Sequence, residues 1–190
     1  AMVFATANTE RYRVNSDGQV LIGTTTAPAY INRRLTVAQG SSTNTTVAIE
    51  VRSPTNGDGR IVFTDSTTSS DTGAYKGQIL YDQTNDFMSF NTNGNNERLR
   101  IDSNGRWLLG TTTEGASNAD ELTLATSGHT GITIRSGTTS EGNIFFSDGT
   151  SGAAEYAGTI QYNHSSNFMQ FATNGSERMR IVSDGRVSIG

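Results

Sequence analysis

No cysteine occurs in the chain. That excludes disulfide staples and thiol chemistry, and it leaves the redox compartment undetermined. Histidine is nearly as scarce: His129 and His164 are the only two, and neither has a His or Cys neighbour at zinc-ligand spacing. Charged residues make up 17% of the chain, with a net charge of −4, so the basic footprint of a nucleic-acid binder is missing. No apolar run approaches the roughly 18 residues of a membrane helix. No secretory leader pattern precedes the first motif. Large apolar residues are also few, with Leu, Ile, Val and Phe totalling 37 of 190. Combined with a high net charge, that deficit would suggest disorder. Here the net charge is small and the apolar residues alternate cleanly. The composition therefore points to a thin β-structure with little to bury on its own, the kind of chain that gains stability by associating.

What is abundant is small and polar: Thr, Ser, Asn and Gly together supply 85 of the 190 residues. Within this background one phrase recurs, as "ERYRVNSDGQVLIG" from Glu10, "ERLRIDSNGRWLLG" from Glu97 and "ERMRIVSDGRVSIG" from Glu177. The likeness extends toward the N-terminus of each copy. "MVFATANTER", "MSFNTNGNNER" and "MQFATNGSER" share Met-x-Phe, a Thr, a turn and Glu-Arg. "GRIVFTD" (Gly59–Asp65) matches "GNIFFSD" (Gly142–Asp148), and "GQILYDQTNDF" (Gly77–Phe87) matches "GTIQYNHSSNF" (Gly158–Phe168). The organisation is a partial motif over 1–23, a first β repeat over 24–110 and a second over 111–190. A period near 80 residues matches none of the common helical repeats.

The repeat reads as strands. Ile79 and Tyr81 fall on one face, as do Met88 and Phe90, and Leu99 and Ile101 with Arg98 and Arg100 opposite them, the period of a strand with one buried side. Asn93-Gly94 and Asn174-Gly175 suit hairpin turns that need positive φ. Gly18, Gly105 and Gly185 close short loops that fit a type I turn with a glycine bulge. The fold class is all-β, an antiparallel meander of short strands. One window, Gly115–Ala125, has the look of a helical turn leading into a strand. A lone meander exposes two edges and one apolar face, a liability unless they are paired or covered. Symmetric association of copies covers them.

These residues resemble the repeats of bacteriophage tail fibres and tail-fibre-like adhesins. The resemblance is carried by Met-x-Phe, Asn-Gly, Glu-Arg-x-Arg-Ile, Asp-x-x-Gly and a closing Gly, and it covers both repeats. Departures exist: Asp82-Gln83 stands where the pattern has Asp-His, and Tyr12 and Val14 replace the apolar residues of Met-Arg-Ile. The resemblance implies an elongated homotrimer on the virion, outward-facing. Its partners would be itself and other tail-fibre segments, with host surface glycan as a further candidate. Its role would be a non-enzymatic shaft supporting host attachment. The alternative is a glycan- or receptor-binding adhesin module of a virus or bacterial surface.

No catalytic, cofactor-binding or metal-binding residue is assigned. Glu97, Arg98 and Arg100, with their copies, read as cross-strand or inter-chain ion pairs; an anionic-glycan site is the sharper alternative. The loop at Asp102 has oxygen donors, but its counterparts are Asn15 and Val182 and no bidentate Glu follows, so it reads as a turn rather than a calcium loop. Asp65 and Asp148 sit at strand ends, where Asp commonly makes turns. Glu155 and Asp120 stand alone, and no carboxylate pair for glycosidase work is evident. His164 and His129 read as solvent-facing or inter-chain polar groups. Trp107, equivalent to Val20 and Val187, reads as packed, with sugar stacking as the alternative. The stretches 41–46, 64–75 and 148–156 differ between repeats and are the loops where binding would lie.

Overall fold

The computed structural model describes residues 1–7, 9–24, 35–37, 49–65 and 76–190. These residues form an all-β structure divided into two compact units, Ala1–Ala125 and Thr126–Gly190. The first unit holds two sheets. One contains β1 (Met2–Thr6), β2 (Thr9–Val14), β3 (Val20–Ile22) and β4 (Leu35–Val37) in that order. The other contains β5 (Asp58–Phe63), β6 (Gly77–Asp82), β7 (Phe87–Thr92), β8 (Asn96–Ile101), β9 (Trp107–Leu109) and β10 (Leu122–Leu124), again in sequence order. The second unit holds β11 (Glu141–Phe146), β12 (Gly158–Asn163), β13 (Phe168–Thr173), β14 (Ser176–Ile181) and β15 (Val187–Ile189), with a short 3-10 helix, Gly152–Tyr156, between β11 and β12.

The turns follow from their residues. Between Thr173 and Ser176 lie only Asn174 and Gly175, with φ of 50° and 67°. Two consecutive positive φ values define the tight hairpin turn whose twist matches the flanking strands. Gly18, Gly105 and Gly185 also have positive φ, and each donates its N–H to the carbonyl three residues back, at 3.1, 2.9 and 2.9 Å. This is the geometry expected of a type I turn closed by a glycine bulge.

Two features depart from the purely antiparallel meander. β4 runs parallel to β3, and β10 runs parallel to β9, so these sheets are mixed. Both added strands lie beyond the repeat boundaries at 24 and 111, so a sheet ends later than the sequence repeat does. Within Gly115–Ala125 there is no helix: the Ala119 N–H bonds to the Ala116 carbonyl at 2.8 Å in a turn, and the strand β10 follows.

The second departure is a bulge at the same place in every copy. Asn91 faces Glu97 while Phe90 faces Leu99, which leaves Arg98 as an extra residue. Arg11 is extra between the pairs Ala5–Glu10 and Phe4–Tyr12, and Arg178 between Ala172–Glu177 and Phe171–Met179. In a regular strand residues three apart lie on opposite faces. The extra residue shifts the phase by one and places Glu97 and Arg100 on the same face.

Alternation then sorts the sheets into two faces. On one, the cross-strand row of the second sheet runs Ile61, Ile79, Phe90, Leu99, Leu109 and Leu124 without a polar interruption. The third sheet repeats it as Ile144, Ile160, Phe171, Met179 and Ile189, and the first as Phe4, Tyr12, Ile22 and Val37. The other face of the second sheet carries Arg60, Leu80, Ser89, Arg100, Leu108 and Thr123. The deepest burial is on this mixed face: Leu21, Leu108 and Ser89 are each 1% exposed. Arg100 lies in register between Ser89 and Leu108, where its long apolar stem can cover neighbours while its head group is paired.

Candidate interaction surface

The arginines of the mixed face, Arg13, Arg60, Arg100 and Arg180, each have an acidic partner. The Arg100 guanidinium makes two parallel bonds to the Glu97 carboxylate, both 2.8 Å, and lies over the Phe87 ring at 3.7 Å. Arg180 repeats this with Glu177 and with Phe168 at 3.9 Å, and Arg13 pairs with Glu10. The bulged arginine has its own partner. Arg98 Nε donates to Thr92 Oγ1 at 2.9 Å, Arg178 Nε to Thr173 Oγ1 at 3.0 Å, and Arg11 Nε to Thr6 Oγ1. The ion pairs are therefore made within one strand, where cross-strand or inter-chain pairing was expected. The reason is the bulge, which brings the two charges of Glu-Arg-x-Arg onto one side. The hydrogen bond from Arg13 holds Glu10 below the usual carboxylate range. With two bonds each to a carboxylate, Arg13, Arg100 and Arg180 are not free to clamp an anionic glycan.

Among the described residues a second cluster is found in the second sheet alone. Arg106 bonds Asp102 at 2.7 Å and Asp120 at 2.9 Å, with Glu114 at 3.7 Å. Its hydrogen bonds to Asp102 and Asp120 raise its affinity for the proton further. Burial pushes Asp102 up, but the bonds from the Arg106 side chain and backbone and from the Asn104 N–H outweigh it, and the carboxyl lies below its ordinary value. Asp102 Oδ1 accepts from the Asn104 and Arg106 N–H groups, at 2.9 and 3.0 Å. It acts as a turn residue, and Asp120, which reads as solitary in sequence, is its partner through Arg106. Among the described residues no group of three His, Cys, Asp or Glu is placed to hold a metal ion.

The apolar face, which the alternation marks as the buried side, is instead the more open one, because the deepest burial is on the mixed face. Within the described chain Ile61 is 51% exposed, Trp107 52%, Phe146 59% and Ile189 83%. Trp107 lies in register between Ile101 and Leu122, and half of it is open on this face. In the first sheet Phe4 and Tyr12 stack at 4.2 Å, almost parallel, on the same open side.

Each full repeat also builds one shallow groove from equivalent positions. In the second unit it has a volume of about 240 Å³ and is lined by residues including Ile134, Ile144, Tyr162, His164 and Met169. In the first repeat it has a volume of about 220 Å³ and is lined by residues including Val51, Ile61, Tyr81, Gln83 and Met88. Val51 and Ile134 belong to unpaired stretches, "IEVRS" from Ile49 and "ITIRS" from Ile132, which cross beside glycines. A Cβ on Gly59 would lie 3.6 Å from Val51 Cγ1, and one on Gly142 would lie 3.4 Å from Ile134 Cγ2. His164 is not simply solvent-facing: it is half-buried, its ring edge-on to Tyr162 at 4.9 Å. His129 is exposed.

Of the suspected binding loops, 41–46 and 66–75 lie outside the described residues. The loop 148–156 contains the 3-10 helix, with the Asp148 N–H bonded to the Ala154 carbonyl at 3.1 Å. Neither a known protein-family model nor a curated protein matches the sequence.

Proposed function

We propose that the chain is a non-enzymatic structural segment of a bacteriophage tail fibre. Three copies turn their apolar faces toward a common axis to form a shaft that supports host attachment. The observation that carries this reading is the unbroken apolar row, repeated from sheet to sheet and left open by the chain itself. Monomeric proteins rarely leave contiguous apolar surface of this kind uncovered. Identical faces on identical chains are satisfied by closed symmetry. The number three and the virion setting rest on the resemblance of the Glu-Arg-x-Arg-Ile repeats. Other segments of the same fibre are the expected neighbours. Light scattering coupled to size exclusion tests the reading. A mass near three times the 20.3 kDa chain is expected, and a compact monomer overturns it.

The half-open Trp107 favours one second reading, a glycan-binding adhesin module, since an exposed indole is a platform for a sugar ring. The two readings separate on a glycan array with the wild-type chain and Trp107→Ala. Saturable binding abolished by the substitution supports the adhesin, and a flat array counts against it.

A further inference from the structure

β3, β9 and β15 hold the same place in their sheets. Each follows the glycine-closed turn and pairs antiparallel with the strand before it. Trp107 faces Ile101 and Val187 faces Ile181. The Asp102 N–H bonds the Arg106 carbonyl at 3.1 Å, and the Val182 N–H bonds the Arg186 carbonyl at 3.0 Å. The Gly110 N–H reaches Arg98 O at 3.1 Å, and the Gly190 N–H reaches Arg178 O at 3.3 Å.

The outer edges of the three strands differ in occupancy. On β3, Val20, Leu21 and Ile22 face Leu35, Thr36 and Val37 of β4. On β9, Trp107, Leu108 and Leu109 face Leu122, Thr123 and Leu124 of β10. Both added strands are parallel, both read Leu-Thr-apolar, and both are followed by Ala in the sequence. The Trp107 N–H donates to Glu121 O at 2.8 Å, and the Ala125 N–H to Leu109 O at 3.1 Å. β15 pairs with β14 alone among the described residues.

We propose that the open edge of β15 is an acceptor site for one parallel strand of the Leu-Thr-apolar-Ala type, received in the register that β10 takes on β9. By the equivalence of β9 and β15, the Val187 N–H and the Ile189 carbonyl point away from β14, as Trp107 N–H and Leu109 carbonyl point away from β8. An unpaired edge of this kind is a template for strand addition. The pattern of the occupant follows from the faces. Its Leu sits beside Val187 and its second apolar residue beside Ile189, extending the two apolar rows by one strand. Its Thr falls beside Ser188 on the mixed face. The site depends on strand topology and is the same whether the chain is one copy or three.

The experiment extends the full chain after Gly190 with a copy of its own residues 111–125, which reproduces the spacing from Gly110 to Leu122. A matched tail has aspartate in place of the copies of Leu122 and Leu124. Amide exchange at Val187 and Ile189 is read by NMR, with the amides of β12 and β13 as internal reference for folding. The expected result is slowing of about tenfold or more with the native tail and none with the aspartate tail. Equal exchange with both tails in a folded chain, or equal slowing with both, overturns the proposal.

Discussion

Trp107 is the sole tryptophan and stands on the apolar face, so it reports whether that face is covered. It is 52% exposed in the chain by itself. A tryptophan presents up to about 250 Å², so covering the open half removes ~130 Å² from water. At ~25 cal/mol per Å² this is about 3 kcal/mol for each chain in an assembly. Replacing Trp107 by Ala therefore weakens association by about two orders of magnitude per chain, since each 1.4 kcal/mol is about tenfold. Sedimentation equilibrium over a concentration series measures the shift, with the unfolding midpoint of the dilute chain as the control for monomer stability. The indole gives an independent signal. Its emission moves to shorter wavelength as the concentration rises through the association range. An unchanged association constant in Trp107→Ala, with wild-type emission that stays water-like at every concentration, refutes the covered face and the reasoning built on it.

Other consequences are local. Gly175→Ala forces a Cβ onto a φ of 67° and lowers stability by about 1–2 kcal/mol; Gly128→Ala, with nothing within 4 Å of the added Cβ, is close to neutral, and thermal melts separate the two. A double-mutant cycle of Glu97→Gln and Arg100→Met gives a coupling of about 0.5–1 kcal/mol by urea unfolding; no coupling would mean that the two groups do not share a face. Asp102 has a folded pKa below its unfolded value, so its contribution is present above about pH 4 and is lost as pH falls through the depressed value. Asp102→Asn therefore flattens the acid limb of the stability curve, read as the urea midpoint at pH 3 against pH 7.

The central meander was legible because its signal is local. Ile79 and Tyr81, Met88 and Phe90, and Leu99 and Ile101 alternate within single strands, and Asn174-Gly175 names its own turn. A strand at the end of Gly115–Ala125 was legible, but the parallel pairings were not. Leu122–Leu124 is three residues long, and its place beside Trp107 is set by a long-range pairing that no local period encodes. The bulge was hidden for a different reason. Arg-Leu-Arg-Ile alternates perfectly from Arg98 onward, so nothing in the string marks Arg98 as surplus; the sign is the Glu one position earlier, out of phase with Arg100. The crossing segments at Val51 and Ile134 did leave a trace, in the recurrence of Val-Arg-Ser and Ile-Arg-Ser eight residues ahead of the matched Phe-Thr-Asp and Phe-Ser-Asp stretches' opening glycines, Gly59 and Gly142. They escape a reading confined to the stronger phrases. The apolar face was legible as a pattern, whereas the burial of Leu108 and Ser89 on the opposite side depends on where arginine stems lie.

The surplus residue has a consequence for how such a chain tolerates change in length. Elsewhere in a strand, losing one residue turns every later side chain to the wrong side. At Arg98 the outcome is reversed. Without it, Glu97, Leu99, Arg100 and Ile101 alternate in ordinary fashion, still facing Asn91, Phe90, Ser89 and Met88. A chain lacking Arg98 forfeits the bond to Thr92 and some twist, yet keeps its apolar row, and its circular dichroism and association should stay near those of the parent. A chain lacking Leu80 instead, in the unbulged strand β6, should lose both. Each repeat thus carries one position at which the gene can drop a codon without changing which side of the sheet faces which neighbour.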